Sequence, residues 1–255
     1  MSDPREPVAL DPAKLVEATA SDPGKVRPEN QDALSAQKNV AGERLFVVSD
    51  GMGGQRGGET AARLCIDTLS RAFRDPHGKP EERLRRGLEL ANEEVYSHAL
   101  SNPERKGMGA TAVALLFAHG PGQTWVAWIG DSRCYRLRDG ALEPLTRDHS
   151  IVAEWIEMGV LTAEEAENHP RRHELTRSIG QAPDVSVEIA AVDARPGDRF
   201  LLCSDGLTNH LEDHEMAKLS AEFDDLDACC AALIKLANRR GGEDNITVAL
   251  ASCEG

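Results

Sequence analysis

Apolar residues occur along this chain in two patterns, short continuous runs and longer stretches with helical spacing. Residues 45–48, Leu-Phe-Val-Val, form a run with the length and composition of a buried strand. Residues 59–73 instead carry apolar side chains three and four positions apart, as does the stretch from Leu84 to Ala99. The pattern therefore predicts an early strand followed by two amphipathic helices.

The rest of the chain is predicted to mix strands and helices without regular alternation. Strands are predicted at residues 111–118, 124–129, 134–137, 142–145, 185–192, 200–203 and 246–250, and helices at 151–166, 211–220 and 226–237. Asp139-Gly140 is a hairpin signal between two of these strands. This order favours an α+β fold with antiparallel strand pairing over a doubly wound parallel sheet.

Length and charge narrow the class of protein. The 255 residues fit a single domain, predicted at 13–255 after a polar, Pro-rich and loose tail at 1–12. The 43 acidic against 29 basic residues give a formal charge of −14, which argues against binding to nucleic acid or an anionic membrane. An anionic substrate stays possible, because bound divalent cations reverse the local field.

Cellular location is suggested by what the sequence lacks. The opening residues have neither the basic nor the apolar region of a secretory signal, and no apolar run has the length of a membrane span. The six cysteines form no Cys-x-x-Cys pair. A reducing cytoplasm is therefore the expected compartment.

Five aspartates lie at the boundaries of predicted strands. Asp50 and Asp205 both end an apolar run in Ser-Asp-Gly, and Asp131 does so in the variant Gly-Asp-Ser. Asp244 precedes the last strand, and Asp32 precedes a short apolar pair. For any one Asp-Gly a plain turn is the simpler interpretation, but carboxylates that met at one sheet rim would repel one another without cations between them. Hard ions such as Mg²⁺ or Mn²⁺ suit such oxygen donors, whereas the ligand patterns of zinc are missing.

Seven short motifs, taken in order, resemble those of the type 2C metal-dependent protein phosphatases. They are Arg-Pro-Glu-Asn-Gln-Asp at 27–32, Asp-Gly-Met-Gly-Gly at 50–54, Gly-Ala-Thr at 109–111, Gly-Asp-Ser-Arg at 130–133, Leu-Thr-Arg-Ser-Ile-Gly at 175–180, Ser-Asp-Gly-Leu at 204–207 and Asp-Asn-Ile-Thr at 244–247. Each motif is weak alone, whereas their order across residues 27–250 is specific. The compact length and the Asp-Gly-Met-Gly-Gly form are similar to the bacterial branch. The resemblance implies a four-layer α-β-β-α sandwich of two antiparallel β-sheets flanked by helices.

The resemblance also implies a metal ligand set for two core Mn²⁺ or Mg²⁺ ions and a third ion. Asp50 would bridge the two core ions, and the backbone carbonyl of Gly51 would reach one of them. Asp205 and Asp244 would complete the second core site. Asp131 together with Asp205 would form the third site, as in bacterial relatives.

Two further residues and a reaction follow from the same resemblance. Asp32 would lie in the outer shell and hold metal-bound waters. Arg27 would bind the substrate phosphate, since a guanidinium fork matches phosphate geometry. The implied reaction is hydrolysis of phosphoserine or phosphothreonine by direct attack of a metal-activated water, with Arg27 and Asp50 in catalytic roles.

Two positions depart from the family pattern. Many relatives have Glu where this chain has Gln31, so one charge is removed from the outer shell and a retuned metal affinity is expected. Animal relatives have His at the position of Met52, where it is a candidate general acid. Methionine has no proton to donate, so the general acid is not assigned to a residue.

The loop at about residues 146–177 corresponds to the flap of bacterial relatives. Within it, Arg171, Arg172 and His173 are candidates to bind a phosphopeptide substrate, and a solvated basic loop is an equally open interpretation. His149 is expected to be an exposed loop histidine and not a metal ligand, because no ligand spacing accompanies it.

The implied partners are phosphorylated proteins, among them a Ser/Thr kinase or its substrates, and the chain is expected to be a monomer. One alternative is a catalytically inactive scaffold that binds phosphoproteins, which the intact set of five aspartates disfavours. Another is a phosphatase for a phosphoserine regulator in a partner-switching pathway. The sequence does not separate the latter from a general antagonist of a Ser/Thr kinase.

Overall fold

The structure, a computed structural model, describes residues 9–53 and 57–254. The strands are β1 (Ala9–Leu10), β2 (Leu15–Asp22), β3 (Ala33–Lys38), β4 (Arg44–Ser49), β5 (Gly51–Met52), β6 (Gly109–Ala110), β7 (Ala112–Phe117), β8 (Gly120–Pro121), β9 (Thr124–Ile129), β10 (Arg133–Arg138), β11 (Ala141–Pro144), β12 (Glu188–Ala191), β13 (Arg199–Cys203) and β14 (Ile246–Cys253). The α-helices are α1 (Gly57–Phe73), α2 (Pro80–Ser101), α3 (Ile151–Glu157), α4 (Ala163–Glu167), α5 (Asp205–Thr208), α6 (Asp213–Glu222) and α7 (Leu226–Arg239), and 3₁₀ helices span Pro12–Lys14 and Pro103–Arg105.

Two five-stranded sheets form the centre of the molecule. Sheet I has the strand order β12-β9-β7-β4-β3, and sheet II has the order β11-β10-β13-β14-β2. Neighbouring strands in both sheets pair antiparallel. The α+β fold with antiparallel pairing is therefore confirmed.

The two sheets pack face to face through an apolar layer. Three phenylalanines lie in it, and Phe117 makes edge-to-face contacts with Phe46 at 6.0 Å and with Phe200 at 5.4 Å between ring centroids. Each fully buried phenylalanine contributes roughly 2–3 kcal/mol to stability by its removal from water. This layer fixes the separation of the sheets and the relative position of their rims.

Helices cover both outer faces of the sandwich. On β4, Leu45 and Val47 face α1 and α2, while the alternate residues face the other sheet, which explains why residues 45–48 are apolar throughout. The outer face of sheet II packs on α6 and α7 through residues such as Leu201 and Leu233. The predicted four layers, α-β-β-α, are present.

Some predicted boundaries are wrong. The helix predicted at 151–166 is two helices, since Gly159 lies at φ +70° after α3 and Thr162 begins α4 with a capping box to Glu165. The strand predicted at 185–192 is limited to β12. Strand β2 was not predicted, and of β3 only the short apolar pair after Asp32 was noted.

The N-terminal tail prediction is only partly within the described residues. Residues 1–8 lie outside them, whereas β1 pairs with β8. The six cysteines, all within the described residues, are buried and free of disulfides. None of the described helices is long and apolar enough to cross a membrane.

Candidate metal centre

The loop after β4 carries Asp50 to one end of sheet I. The N–H of Asp50 donates to Oγ1 of Thr111 at 2.9 Å, and the N–H of Thr111 donates to the Asp50 carbonyl at 2.8 Å. Oγ1 of Thr111 shares a further hydrogen bond of 2.6 Å with Oγ of Ser132, the neighbour of Asp131. Thr111 therefore joins the two loops that carry Asp50 and Asp131.

Sheet II brings Asp205 and Asp244 to the same end of the sandwich, where Asp32, which precedes β3 of sheet I, contacts them through Ser204. Asp205 begins α5 directly after β13, and Asp244 precedes the adjacent strand β14. Oγ of Ser204 donates to Oδ2 of Asp32 at 2.8 Å and accepts the N–H of Thr247 at 3.0 Å. The hydroxyl of Ser204 therefore ties Asp32 to the ends of both central strands.

The rims of the two sheets enclose a cavity of about 1270 Å³. Its lining includes Asp50, Asp131, Asp205 and Asp244, so four of the five predicted aspartates meet there. Asp32 is not in the lining and lies behind it, bonded to Ser204. Gly51 and Arg27, both predicted from the resemblance, also line the cavity.

The carboxylates raise one another's pKa. Burial raises the pKa of Asp50 well above its ordinary value, and the charges of the other four aspartates raise it further. Burial, then the charge of Asp205, raises the pKa of Asp131 to about 8. Burial also raises the pKa of Asp32 to about 7, although hydrogen bonds from Thr247 and Ser204 act in the opposite direction. Cations between these groups would relieve the repulsion.

The donor set fits hard divalent ions. Oδ1 of Asp32 and Oδ1 of Asp205 are buried without a hydrogen-bond partner, which is costly unless another electropositive group meets them. Among the described residues, no three His, Cys, Asp or Glu side chains are placed to hold one ion. Mg²⁺ does not require such a group, because it keeps several waters and is usually held by one or two carboxylates.

Close backbone contact places the carbonyl of Gly51 at the start of α1. A Cβ on Gly51 would lie 2.1 Å from the carbonyl oxygen of Gly58, and a Cβ on Gly58 would lie 2.4 Å from that of Gly51. Side chains at either position would force α1 away from the loop that carries Asp50. These two glycines are therefore required by packing as well as by the predicted role of Gly51.

Arg27 lies beside the carboxylates and remains accessible. Its Nη2 donates to Oδ2 of Asp244 at 2.7 Å, and 55% of the side chain is exposed. The hydrogen bond to Asp244 raises the pKa of Arg27, so the guanidinium keeps its charge. A cation at the mouth of an acidic cavity is suitably placed to meet an anionic group.

The three flap candidates lie in different surroundings. His173 lines the cavity. Arg171 is exposed outside the cavity lining, where it bonds Glu174 at 2.7 Å and its guanidinium lies 5.2 Å from the centre of the Trp155 ring. Arg172 is also exposed outside the lining. The structure therefore brings only His173 of the three to the cavity.

The expectation of an exposed His149 is wrong. This residue is 2% exposed, its Nδ1 accepts the N–H of Gly130 at 3.1 Å, and its ring stacks on Trp128 at 6.2 Å between centroids. Its backbone also accepts the N–H of Thr176 at 2.8 Å. His149 therefore holds the start of the flap against sheet I.

Several polar residues of the site were not recognised from the sequence. Thr111 and Ser204 hold Asp50 and Asp32 through hydroxyl groups, the backbone N–H of Thr247 donates to the Ser204 hydroxyl, and Asn245 bonds the segment that carries Arg27. Their sequence signal is their position inside or beside the aspartate motifs. That position does not reveal which distant residue each one contacts.

Together, the fold and the site define a class: a sandwich of two antiparallel sheets between helices, with an aspartate-lined cavity at one end. The family model for protein phosphatase 2C matches residues 26–243. The serine/threonine phosphatase stp of Listeria monocytogenes is 37% identical over 235 residues, which are 90% of this chain and 92% of that protein.

Solved structures show the same similarity. The serine/threonine phosphatase of S. agalactiae superposes with a TM-score of 0.87 at 35% identity, over 94% of this chain and 100% of that one. The catalytic domain of the phosphatase PstP, in complex with 2 manganese ions, superposes with a TM-score of 0.82 at 34% identity, over 94% and 99%. This chain belongs to the protein phosphatase 2C family.

Proposed function

We propose that this protein is a metal-dependent phosphoprotein phosphatase that hydrolyses phosphoserine and phosphothreonine. The observation that carries the proposal is the convergence of Asp50, Asp131, Asp205 and Asp244 on one cavity beside an accessible Arg27. These aspartates come from distant parts of the chain, and their mutual repulsion is balanced only when cations lie between them. Relatives named as serine/threonine phosphatases support the same assignment.

Two core Mn²⁺ or Mg²⁺ ions are assigned to Asp50, the Gly51 carbonyl, Asp205 and Asp244. A third ion is assigned to Asp131 with Asp205, and Asp32 supports the centre from behind. When bound, such ions supply a water nucleophile at neutral pH and offset charge on the phosphoryl group. The manganese ions bound to the relative PstP support this choice of metal.

Arg27 is assigned to the substrate phosphate. Its guanidinium keeps its charge, is more than half exposed, and offers parallel N–H donors to phosphate oxygens. Phosphate binding would replace or share the bond that Arg27 now makes to Asp244. Met52 also lines the cavity but has no proton to donate, so the leaving hydroxyl takes its proton from elsewhere.

The substrates are assigned to phosphorylated proteins rather than to small phosphate esters. An open cavity of about 1270 Å³ has room for a phosphorylated side chain with its flanking residues. Of the three flap candidates, His173 lines the cavity and is placed to meet such a peptide, whereas Arg171 is already bonded to Glu174. We assign the protein to the cytoplasm as a monomer that opposes a Ser/Thr kinase.

The test is hydrolysis of a phosphothreonine peptide by the purified protein with Mn²⁺. Release of phosphate is expected with Mn²⁺, loss with EDTA, and recovery when Mn²⁺ is restored. Arg27→Ala is expected to raise KM on the order of tenfold, since it removes a charged hydrogen bond to the phosphate. Calorimetry that detects no binding of millimolar Mn²⁺, with no hydrolysis, would contradict the proposal and favour an inactive binding scaffold.

A further inference from the structure

Asn245 lies next to the metal-ligand candidate Asp244, at the start of β14. The residue is 5% exposed, and its backbone N–H donates to Oδ1 of Asp244 at 2.9 Å. Its carbonyl oxygen lies so near α5 that a Cβ on Gly206 would be 2.0 Å away. The backbone of Asn245 is therefore fixed between the two acidic strand ends.

The side chain of Asn245 uses its donors and its acceptor on one segment, residues 23–31. Nδ2 donates to the carbonyls of Pro23 and Glu29, both at 3.0 Å, and Oδ1 accepts the N–H of Gln31 at 2.8 Å. An amide is the side-chain group that offers two N–H donors and a carbonyl acceptor at once. The amide thereby holds both ends of a segment that has no helix or strand of its own.

Arg27 lies in the middle of that segment. Its ion pair with Asp244 is largely exposed, at 55% and 33% of the two side chains. Exposed pairs contribute only about 0–1 kcal/mol, so this contact is too weak to fix the position of the guanidinium by itself. The backbone of residues 23–31 has to do so, and the amide of Asn245 holds that backbone.

We propose that Asn245 is a positioning residue that keeps Arg27 aimed at the metal centre and so sets the affinity for the substrate phosphate. The proposal rests on the proposed function and adds to it a residue whose side-chain bonds all go to the segment that carries Arg27. The effect of Asn245 on substrate binding is transmitted through Arg27 and disappears when the guanidinium is absent.

A matched control exists in Asn92 on α2. This amide is 1% exposed, donates to the carbonyls of Ala182 and Pro183 at 3.0 and 3.1 Å, and accepts the N–H of Gly180 at 2.7 Å. It makes the same three kinds of bond to a loop that does not carry Arg27. The two asparagines therefore match in burial and in lost hydrogen bonds but differ in their connection to the phosphate-binding group.

The experiment is a double-mutant cycle on the Mn²⁺-loaded protein with a phosphothreonine peptide. Asn245→Ala is expected to raise KM about tenfold, because small displacements of a substrate-binding group are costly. In the Arg27→Ala background the same substitution is expected to change KM less than twofold. Asn92→Ala is expected to have the same effect in both backgrounds. Calorimetric Mn²⁺ affinity is expected to change less than twofold in Asn245→Ala.

A second measurement covers the case in which Asn245→Ala does not fold. Inorganic phosphate is titrated calorimetrically into the Mn²⁺-loaded Asn245→Ser variant. Its affinity for phosphate is expected to be severalfold weaker than that of wild type. In the Arg27→Ala background, Asn245→Ser is expected to cause no further loss of affinity. Equal losses in both backgrounds, by either measurement, would overturn the role of Asn245 and leave the proposed function intact. An inactive wild-type protein would instead contradict the proposed function, and the phosphate titration would still test Asn245.

Discussion

The negative charge of aspartates is balanced differently in two parts of this sandwich. In the cavity, Asp50, Asp131 and Asp205 are packed together and their pKa values are raised. In a second group, named here the paired cluster (Arg138, Asp193, Arg195 and Asp198), each aspartate meets a guanidinium. Nε and Nη2 of Arg138 donate to the two carboxylate oxygens of Asp198, both at 2.7 Å, and Asp198 is 1% exposed. Hydrogen bonds from Arg195 and Arg138 lower the pKa of Asp193.

This difference distinguishes a cluster that stabilises the fold from a site that is suited to function. In the paired cluster the countercharge is part of the chain, so the cluster is complete in the folded protein alone. In the cavity, the described residues supply little positive charge beyond Arg27, and buried oxygens of Asp32 and Asp205 have no hydrogen-bond partner among them. Such a site is costly to the fold and useful only if cations from solution complete it. Substitutions in the cavity and matched substitutions in the paired cluster should therefore have different effects.

The largest expected effect is the loss of activity in Asp205→Ala. This substitution removes a carboxylate that is assigned to both the proposed core site and the proposed third site. Hydrolysis of a phosphothreonine peptide with Mn²⁺ is expected to fall on the order of 10³-fold, the scale on which removing one charge-stabilising group acts. Asp193→Ala, in the paired cluster, is the control and is expected to remain within twofold of wild type. Full activity in Asp205→Ala would refute the metal assignment.

The next effect is a loss of stability when Arg138 of the paired cluster is replaced. Arg138→Met leaves the carboxylate of Asp198 buried without its bidentate partner, which costs about 3 kcal/mol in the free energy of unfolding. Urea denaturation measures this loss, while activity of the folded variant is expected to be unchanged within twofold. Arg195→Met, whose pair with Asp193 is more exposed, is expected to cost less than about 1 kcal/mol. Equal losses in the two variants would contradict the distinction.

The third predicted effect is a gain of stability, in contrast to the loss expected for Arg138→Met. Asp50→Asn removes charge from the crowded cavity, so the metal-free protein in EDTA is expected to become more stable by about 1 kcal/mol or more. Mn²⁺ is expected to stabilise wild type by binding the folded state, and this gain is expected to be largely lost in the variant. The matched substitution Asp193→Asn should lower stability and keep the gain from Mn²⁺. A less stable metal-free Asp50→Asn would show that the cavity carboxylates are already compensated within the chain.

Strongly periodic segments allowed most of the fold to be predicted. The two helices α1 and α2 have long apolar stripes, and β4 is apolar on both faces because both are buried. Strand β2 was missed because its small residues, such as Ala18 and Ala20, give a weak pattern at the edge of sheet II. The break between α3 and α4 depends on the positive φ of Gly159, which a helical pattern with one glycine does not reveal.

The positions of the aspartates could be predicted from the sequence, whereas the residues that hydrogen-bond to them could not. Ser-Asp-Gly after an apolar run places Asp50 and Asp205 near strand ends from local sequence alone. The bond from the Gln31 N–H to Asn245 and the bond from Ser204 to Asp32 join residues 214 and 172 positions apart. Such contacts depend on which strands become neighbours, and strand order is decided by packing of the whole sandwich and not by any short motif.

The smallest effect concerns the acid stability of the paired cluster. The pKa of Asp193 is lowered in the folded protein, first by its hydrogen bonds from Arg195. A lowered folded-state pKa stabilises the protein at pH values above the ordinary pKa, and this contribution disappears as pH falls through the lowered value. Wild type is therefore expected to exceed Arg195→Met in unfolding free energy at pH 6, and the two should converge below about pH 3.

The difference at pH 6 is expected to be at most about 1 kcal/mol, because Asp193 is 47% exposed and solvent screens the pair. Urea midpoints of both proteins in EDTA, at pH 6, 4 and 3, measure it without metal. The comparison of the two proteins cancels the protonation of all other carboxylates, including those in the cavity. A difference that stays constant down to pH 3 would mean that Arg195 stabilises the fold through packing of its side chain and not through the charge of Asp193.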